Sequence, residues 1–287
     1  MTLSSRIALL LWLVPAVLAA QAPVTFGVAA GTLKIDDAQR QQALRGILQL
    51  RLAPWLSLSA SPVYVHAARD SAGVTYTSSG LGDLGVAAGT GFSFSHLPGS
   101  PDAWASFEAA LPTGSTTCGL GSGTTSYSLD AGGGLSVLDG WYASGSVYAP
   151  LSGESGQSSL SAPHASSLSI GLSYQPSDRV SLGSTLEWDV GTADTTQALA
   201  RNLGGEVNVK VAGPWAIQLE GKAGLTSASP RWAFALGLGT AFGYNGPVDV
   251  HAPQQLLTNV FRGGVGRGKG LGHIGGKNKN RLTPACS

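Results

Sequence analysis

The sequence predicts an all-β chain, an antiparallel transmembrane β-barrel of about twelve strands behind a cleaved signal peptide. Three observations predict it. Apolar residues alternate with small or polar ones at period two through much of residues 24–242, the spacing of strands with two different faces. Charged residues make up 11% of the chain, where soluble domains carry about 25%. The links between candidate strands alternate between short and mostly longer ones, as periplasmic turns and extracellular loops do in outer-membrane barrels. Composition also excludes other classes. Glycine is 41 of 287 residues without a three-residue period, so the chain is not collagen-like. A 43% hydrophobic content with sparse charge argues against disorder, and a soluble enzyme of this length with so few charges would disperse poorly.

Residues 1–20, MTLSSRIALLLWLVPAVLAA, place Arg6 before an apolar run from Ile7 that ends in small residues ahead of Gln21. This is a secretory layout, with cleavage expected near Ala19 or Ala20. The run of 14 residues contains Pro15 and falls short of the roughly 20 that a helical span needs. No cysteine follows it, so no lipid anchor is expected. No later stretch reaches spanning-helix length, so any membrane crossing falls to strands. The expected organisation is a signal peptide at 1–20, a barrel at 21–242 and a tail at 243–287.

Strands are predicted near 24–33, 43–52, 55–66, 81–95, 103–112, 126–138, 141–150, 166–175, 179–190, 202–212, 215–225 and 231–242. Alternation is cleanest late in the chain. Leu168, Ile170, Leu172 and Tyr174 oppose Ser167, Ser169, Gly171 and Ser173, and Trp232, Phe234, Leu236, Leu238 and Phe242 oppose Ala233, Ala235, Gly237, Gly239 and Ala241. The short turns are 53–54, 97–102, 139–140, 175–178 and 213–214; the other links are 34–42, 67–80, 113–125, 151–165, 191–201 and 226–230. An even strand count puts both barrel termini in the periplasm. A soluble sandwich would also alternate, but the second face here is mainly Gly, Ser and Ala, which suits a crowded lumen better than a water-facing surface. Trp55, Tyr64, Phe92, Phe94, Trp141, Tyr148, Tyr174, Trp188, Trp215, Trp232 and Phe242 fall near strand ends, where an interfacial aromatic girdle belongs.

Beyond Phe242, residues 243–287 hold six Lys/Arg and one acid, a net of +5, which leaves −5 over residues 21–242. The glycine- and base-rich stretch 263–276 reads as a disordered periplasmic extension, either without a role or as an arm for acidic lipid or polymer. Two cysteines in an exported chain suggest a disulfide. In this layout, however, Cys118 lies in an extracellular loop and Cys286 in a periplasmic tail, so no bridge between them is expected.

Several motifs fail on context. Gly80-Leu81-Gly82-Asp83-Leu84-Gly85 matches a dinucleotide fingerprint, but a strand pattern follows where a helix is needed. Gly114–Gly119 has phosphate-loop spacing with Leu120 in place of the lysine. There is no nucleophile elbow; a barrel lipid hydrolase would have to pair His66 or His164 with one of many serines. The five histidines show no metal-binding pattern. No cofactor or catalytic residue is expected, and no nucleic-acid partner.

Inward-facing charge is the stronger lead. Asp83, Glu108, Asp130, Glu187, Asp189, Glu206 and Glu220 are expected to face Arg45, Arg51, Lys210 and Lys222 across the lumen. Such charge is tolerated where water or a partner meets it. It either sets a field that selects solutes or pairs and plugs the barrel. Twelve strands fall between the filled eight-stranded barrels and the wide sixteen-stranded ones, and small lumen residues favour a narrow path.

Two segments, SSGLGDLGVAAGTGFSF at 78–94 and FEAALPTGSTTCGLGSGTTSYSLDAGGGL at 107–135, resemble the MetA-pathway-of-phenol-degradation family of outer-membrane proteins. The resemblance rests on a G-L-G-D strand start, Gly80–Asp83, and on a strand ending L-P-T-G, Leu111–Gly114, followed by the glycine-rich Gly119–Gly123. It runs loosely over 44–242; the basic tail, Cys118 and the first strand depart from it. The resemblance implies an outer-membrane location and a transporter-like role, often linked to degradation of aromatic or other hydrophobic compounds. At the mouth, Pro112, Thr113 and Gly114 are read as the strand exit, and Gly119, Gly121 and Gly123 as the hinge that lets the loop fold back. The expected function is a passive channel for small solutes, aromatic or hydrophobic ones among them, in the outer membrane of a Gram-negative-type cell. A non-conducting structural or surface-interaction barrel and a barrel lipid hydrolase are the alternatives. Expected partners are outer-membrane lipids, the solutes, and the barrel-assembly machinery during biogenesis.

Overall fold

Strands in a membrane must pair every backbone N–H and C=O among themselves, which a sheet achieves only by closing. The computed structural model, which describes residues 24–71, 74–152, 166–190, 200–227, 229–242, 257 and 260, shows this closure. Its strand segments are β1 (Val24–Lys34), β2 (Gln39–Ala53), β3 (Leu56–Ser61), β4 (Val63–Ser71), β5 (Val74–Leu81), β6 (Leu84–Ser93), β7 (Asp102–Leu111), β8 (Ser126–Leu138), β9 (Trp141–Ser152), β10 (Ser166–Ser177), β11 (Val180–Val190), β12 (Arg201–Ala212), β13 (Trp215–Gly224) and β14 (Trp232–Gly239). β1 pairs antiparallel with β2 on one side and β14 on the other, sealing the sheet.

Two staves are broken, so fourteen segments make twelve crossings. β3 and β4 both pair with β2, on either side of Pro62. Proline cannot donate to the ladder; its carbonyl accepts from Gly46 N–H at 3.0 Å. β5 and β6 likewise form one stave, pairing with β4 and β3 and interrupted at Gly82-Asp83. The two interruptions meet, because Gly82 N–H donates to Val63 O at 2.9 Å. This buckle frees Asp83 from the ladder.

The outer surface carries the apolar set. Phe26, Leu44, Leu58, Phe107, Leu129, Ile170, Leu186, Phe234, Leu236 and Leu238 are all exposed on it. Aromatics gather at the short-turn end, where Phe26 meets Trp215 edge-on at 5.2 Å and Trp141 stacks on Tyr174 at 4.7 Å. Two residues assigned to the girdle from sequence lie elsewhere. Tyr148 shares the lumen-facing parity of Ser146, whose hydroxyl is 2.7 Å from that of Ser169, and Phe242 is buried inside the barrel.

Three boundaries differ from the sequence reading. The links at 34–42 and 67–80 are largely strand, leaving only 35–38 and 72–73 outside β1, β2, β4 and β5. These extensions carry polar residues on both faces, such as Gln39, Arg40, Arg69 and Thr77, so alternation could not reveal them. The last strand stops at Gly239 rather than 242. Gly239 has φ +156°, and a Cβ there would stand 2.3 Å from Phe26 O, so only glycine fits at the closing seam. Thr240 and Ala241 N–H both then donate to Phe26 O, and the chain turns inward. The expected signal peptide and the loops at 153–165 and 191–199 lie outside the described residues.

Candidate functional site: the barrel lumen

Strand parity places Arg45, Arg51, Glu108, Asp130, Glu187, Asp189, Glu206, Lys210, Glu220 and Lys222 on the inner face, with Asp83 buried at the break between β5 and β6, and the structure sorts them into separate groups. On β11–β13, Lys222 Nζ lies 3.0 Å from Glu187 Oε2 and 3.6 Å from Glu220 Oε1. Glu206 stands directly opposite Glu220 in the ladder. On the far wall, Arg45 Nη1 donates to Ser61 Oγ at 3.0 Å. A Cβ built on Gly85 would sit 3.0 Å from Glu108 Oε1 and 3.6 Å from Arg45 Nη1, so both charged ends converge over this glycine. Asp130 is buried, opposite Ser106 and Tyr148. Arg51 sits nearer the short-turn end, opposite Ser57, and Asp189 near the loop end, its N–H bonded to Ala200 O at 3.0 Å.

Asp83 belongs to the mouth rather than to a charge pair across the lumen. It is 2% exposed, and its carboxylate accepts from Gly114 N–H at 3.0 Å, Ser122 N–H at 2.8 Å and Ser122 Oγ at 2.7 Å. Thr113 Oγ1 adds a clasp, donating to Gly82 O at 3.0 Å and accepting from Leu84 N–H at 2.9 Å. A Cβ at Gly114 or Gly121 would lie 2.6 Å from atoms of the opposing loop arm. The segment after Pro112 therefore folds back on itself, with Gly119 and Gly123 at positive φ. Its tip points inward: Leu120 is 3% exposed and packs in the interior cluster, while Ser78 Oγ donates to Cys118 O at 2.6 Å. The G-L-G-D and L-P-T-G segments are thus two halves of one clasp. The first of them has strand on both sides, not the strand-to-helix turn that a dinucleotide fingerprint requires.

The lumen has two unlike sides. On β13, β14, β1, β2 and β4 the inner face is covered: Ala29, Leu33, Ala43, Val63, Val65, Ala216 and Ala235 form an apolar cluster with Leu120, Phe242, Leu257 and Val260. Gln41 lies among them, 1% exposed, with neither amide atom hydrogen-bonded. On β8–β11 most inner residues are small and partly exposed, including Gly132, Gly134, Ser144, Ser146, Ser169, Gly171, Ser173, Gly183 and Thr185. Two aromatic side chains lie across this wall. A Cβ at Gly132 would meet Trp104 Cζ2 at 2.8 Å, and one at Gly134 would fall within 2.4 Å of the Tyr142 ring. Tyr142 donates to Asp102 Oδ1 at 2.6 Å. A cavity of about 230 Å³ opens at the short-turn end of this side, lined among others by Tyr142, Ser173, Ser181, Glu206, Asn208 and Lys210. Sequence reading missed the inward Trp104 and Tyr142; their parity with Ser106, Glu108, Ser144 and Ser146 was the available signal.

Cys118 is disulfide-bonded, which corrects the expectation of no bridge. The sequence's other cysteine, Cys286, lies outside the described residues. The expectation assumed that a chain leaving the last strand stays on the periplasmic side. Instead Phe242 enters the barrel, its carbonyl accepting from Asn208 Nδ2 at 3.0 Å, so the chain leaves the last strand on the lumen side. His66 sits on the outward face of β4, opposite Ser79 in the ladder with no hydrogen bond to it, and His164 lies outside the described residues.

Among solved structures, the chain is similar to the COG4313 outer membrane channel from Pseudomonas putida F1, at 16% identity and TM-score 0.50, covering 75% of this chain and 94% of that one. It is also similar to the KdgM porin, at 12% identity and TM-score 0.47 over 75% and 97%, and to the CymD monoaromatic hydrocarbon channel, at 8% identity and TM-score 0.42 over 76% and 88%. No curated protein matches. A family model described as "Putative MetA-pathway of phenol degradation" matches residues 52–242, more than half of the chain. The chain, an outer-membrane type β-barrel with a clasped mouth loop, therefore belongs to that family.

Proposed function

We propose that the protein is an outer-membrane channel that passes small solutes by diffusion along the β8–β12 side of the lumen. One observation carries this reading: most inner residues of that side remain partly exposed while the opposite side is covered by an apolar cluster. A wall of serines, threonine and glycines offers hydrogen bonds without bulk, and Lys210 along it, with the Glu187–Lys222 pair at its β11–β13 edge, sets a transverse field for solutes in transit. Trp104 and Tyr142 add ring faces beside the path. The 230 Å³ cavity exceeds the ~150 Å³ that suffices for benzene in an engineered apolar cavity, so solutes of single-ring size fit. An amphipathic aromatic such as a phenol matches rings beside hydroxyls and carboxylates, in keeping with the family's description.

The test is single-channel recording of refolded full-length protein, run beside a boiled-versus-unboiled gel. The account expects a heat-modifiable band, discrete openings, and concentration-dependent current block by phenol. A heat-modifiable band without conductance would reject the open channel and favour a structural barrel.

A further inference from the structure

We propose that the apolar side of the lumen is a docking surface for the chain's own carboxy-terminal segment, which enters from the short-turn end and is tethered to the mouth loop by a Cys118–Cys286 disulfide. Four observations place it. The chain turns inward after Gly239, and the Phe242 ring fills the space a side chain at Gly27 would need, 2.6 Å from such a Cβ. Leu257 and Val260 are helical and 3% and 0% exposed, and both pack in the cluster of Ala29, Leu33, Val63 and Val65. Leu257 N–H donates to Glu220 Oε2 at 2.8 Å, so the carboxylate bound to Lys222 also holds the segment. Finally, Cys118 at the loop end is disulfide-bonded, and the sequence offers one partner.

Length and charge agree. Cys286 lies 44 positions beyond Phe242. A helix rises about 1.5 Å per residue and the hydrocarbon core is about 30 Å thick, so the segment crosses with chain to spare. Its net +5 complements the −5 of residues 21–242. An apolar patch inside a water-filled barrel would otherwise be unstable in contact with water; the docked segment covers it and narrows the passage to the opposite side. This inference does not depend on the channel reading, because docking is measurable without current.

The test uses refolded full-length protein with its disulfide intact. Peptide mapping without reductant is expected to recover Cys118 linked to Cys286 within a monomer; unlinked cysteines or an intermolecular bond would overturn the tether. A maleimide should label Val260→Cys at least about ten-fold more slowly in the folded barrel than in urea, since protection reports local opening. Equal rates would overturn the docking. Leu257→Asp, or a dithiol that reduces the bond to two thiols while itself becoming a disulfide, should raise unit conductance about two-fold or more by returning lumen cross-section. An unchanged, open conductance would contradict a seated segment. Protection of Val260→Cys with no current in any variant would keep the docked segment and count against the channel reading instead.

Discussion

The two sides of the lumen are built by the same strand geometry and do opposite things. On β1, β2, β4, β13 and β14, inward alanines, valines and leucines are packed by Leu120 from the mouth loop and by Phe242, Leu257 and Val260 from beyond the last strand. On β8–β11, most inward serines and glycines are left partly exposed. A barrel interior need not be uniformly polar: where a loop or a chain end supplies an apolar partner, the wall becomes a core, and where none does, it must suit water.

The largest expected effect breaks that contrast directly. Val65→Asp places a charge in a packed apolar cluster and should cost about 3–5 kcal/mol in a urea unfolding titration, whereas Ser169→Asp on the open side should cost under about 1 kcal/mol. Similar losses at both would mean that the two sides do not differ. Next, Leu236→Arg and Ile170→Arg, which are both lipid-facing but lie behind different inner walls, should each cost about 2–4 kcal/mol near mid-bilayer. Lipid does not sense which lumen side lies behind a strand, so a marked difference between the two would show that the outer register is misassigned.

The mouth loop comes third. Asp83→Ala removes the acceptor for Gly114 N–H and for both Ser122 donors and should cost about 2–3 kcal/mol. With the clasp gone, Leu120 leaves the covered side and unit conductance rises; an unchanged conductance would show that the loop does not restrict the passage. The smallest effect is at the rim. Asp37 accepts from Lys34 at 3.2 Å and from both Arg231 Nη atoms, tying the β1–β2 turn to the start of β14. The bond from Lys34, aided by the Arg231 charge, holds its carboxyl below the ordinary 3.8. The stability this lends is present above that ordinary value and is lost as pH falls through the lower folded one. Asp37→Asn should therefore be slightly less stable than the native chain at neutral pH and indistinguishable from it in strong acid. Because the group is fully exposed, a large difference would be unexpected.

How much of this was legible in the sequence depends on what alternation can and cannot report. Twelve crossings, the outward apolar face and the inward charges all follow from period two, because lipid and lumen impose opposite demands on successive residues. The polar hairpin ends at Gln39–Gln42 and Arg69–Thr77 escaped, since above the bilayer neither face needs to be apolar. Phe242 has the parity of the outward residues Phe234, Leu236 and Leu238, and only the backbone at Gly239 shows that the chain leaves the ladder before reaching it. The apolar side of the lumen was hidden for a related reason: Leu33, Val63 and Val65 became interpretable only with Leu120, Leu257 and Val260 in contact. The Asp83 clasp was half legible, as two motifs in order. Their meeting depends on the buckle at Pro62 and Gly82, which no local pattern marks.

The most direct test of the central claim, that solutes move along the β8–β12 side while the opposite side is covered, is current block by a small thiol-reactive cation on two variants with the native disulfide intact. Current through Ser169→Cys should fall on modification, while current through Ala43→Cys should not change. Block at Ala43→Cys, or none at Ser169→Cys, would contradict it.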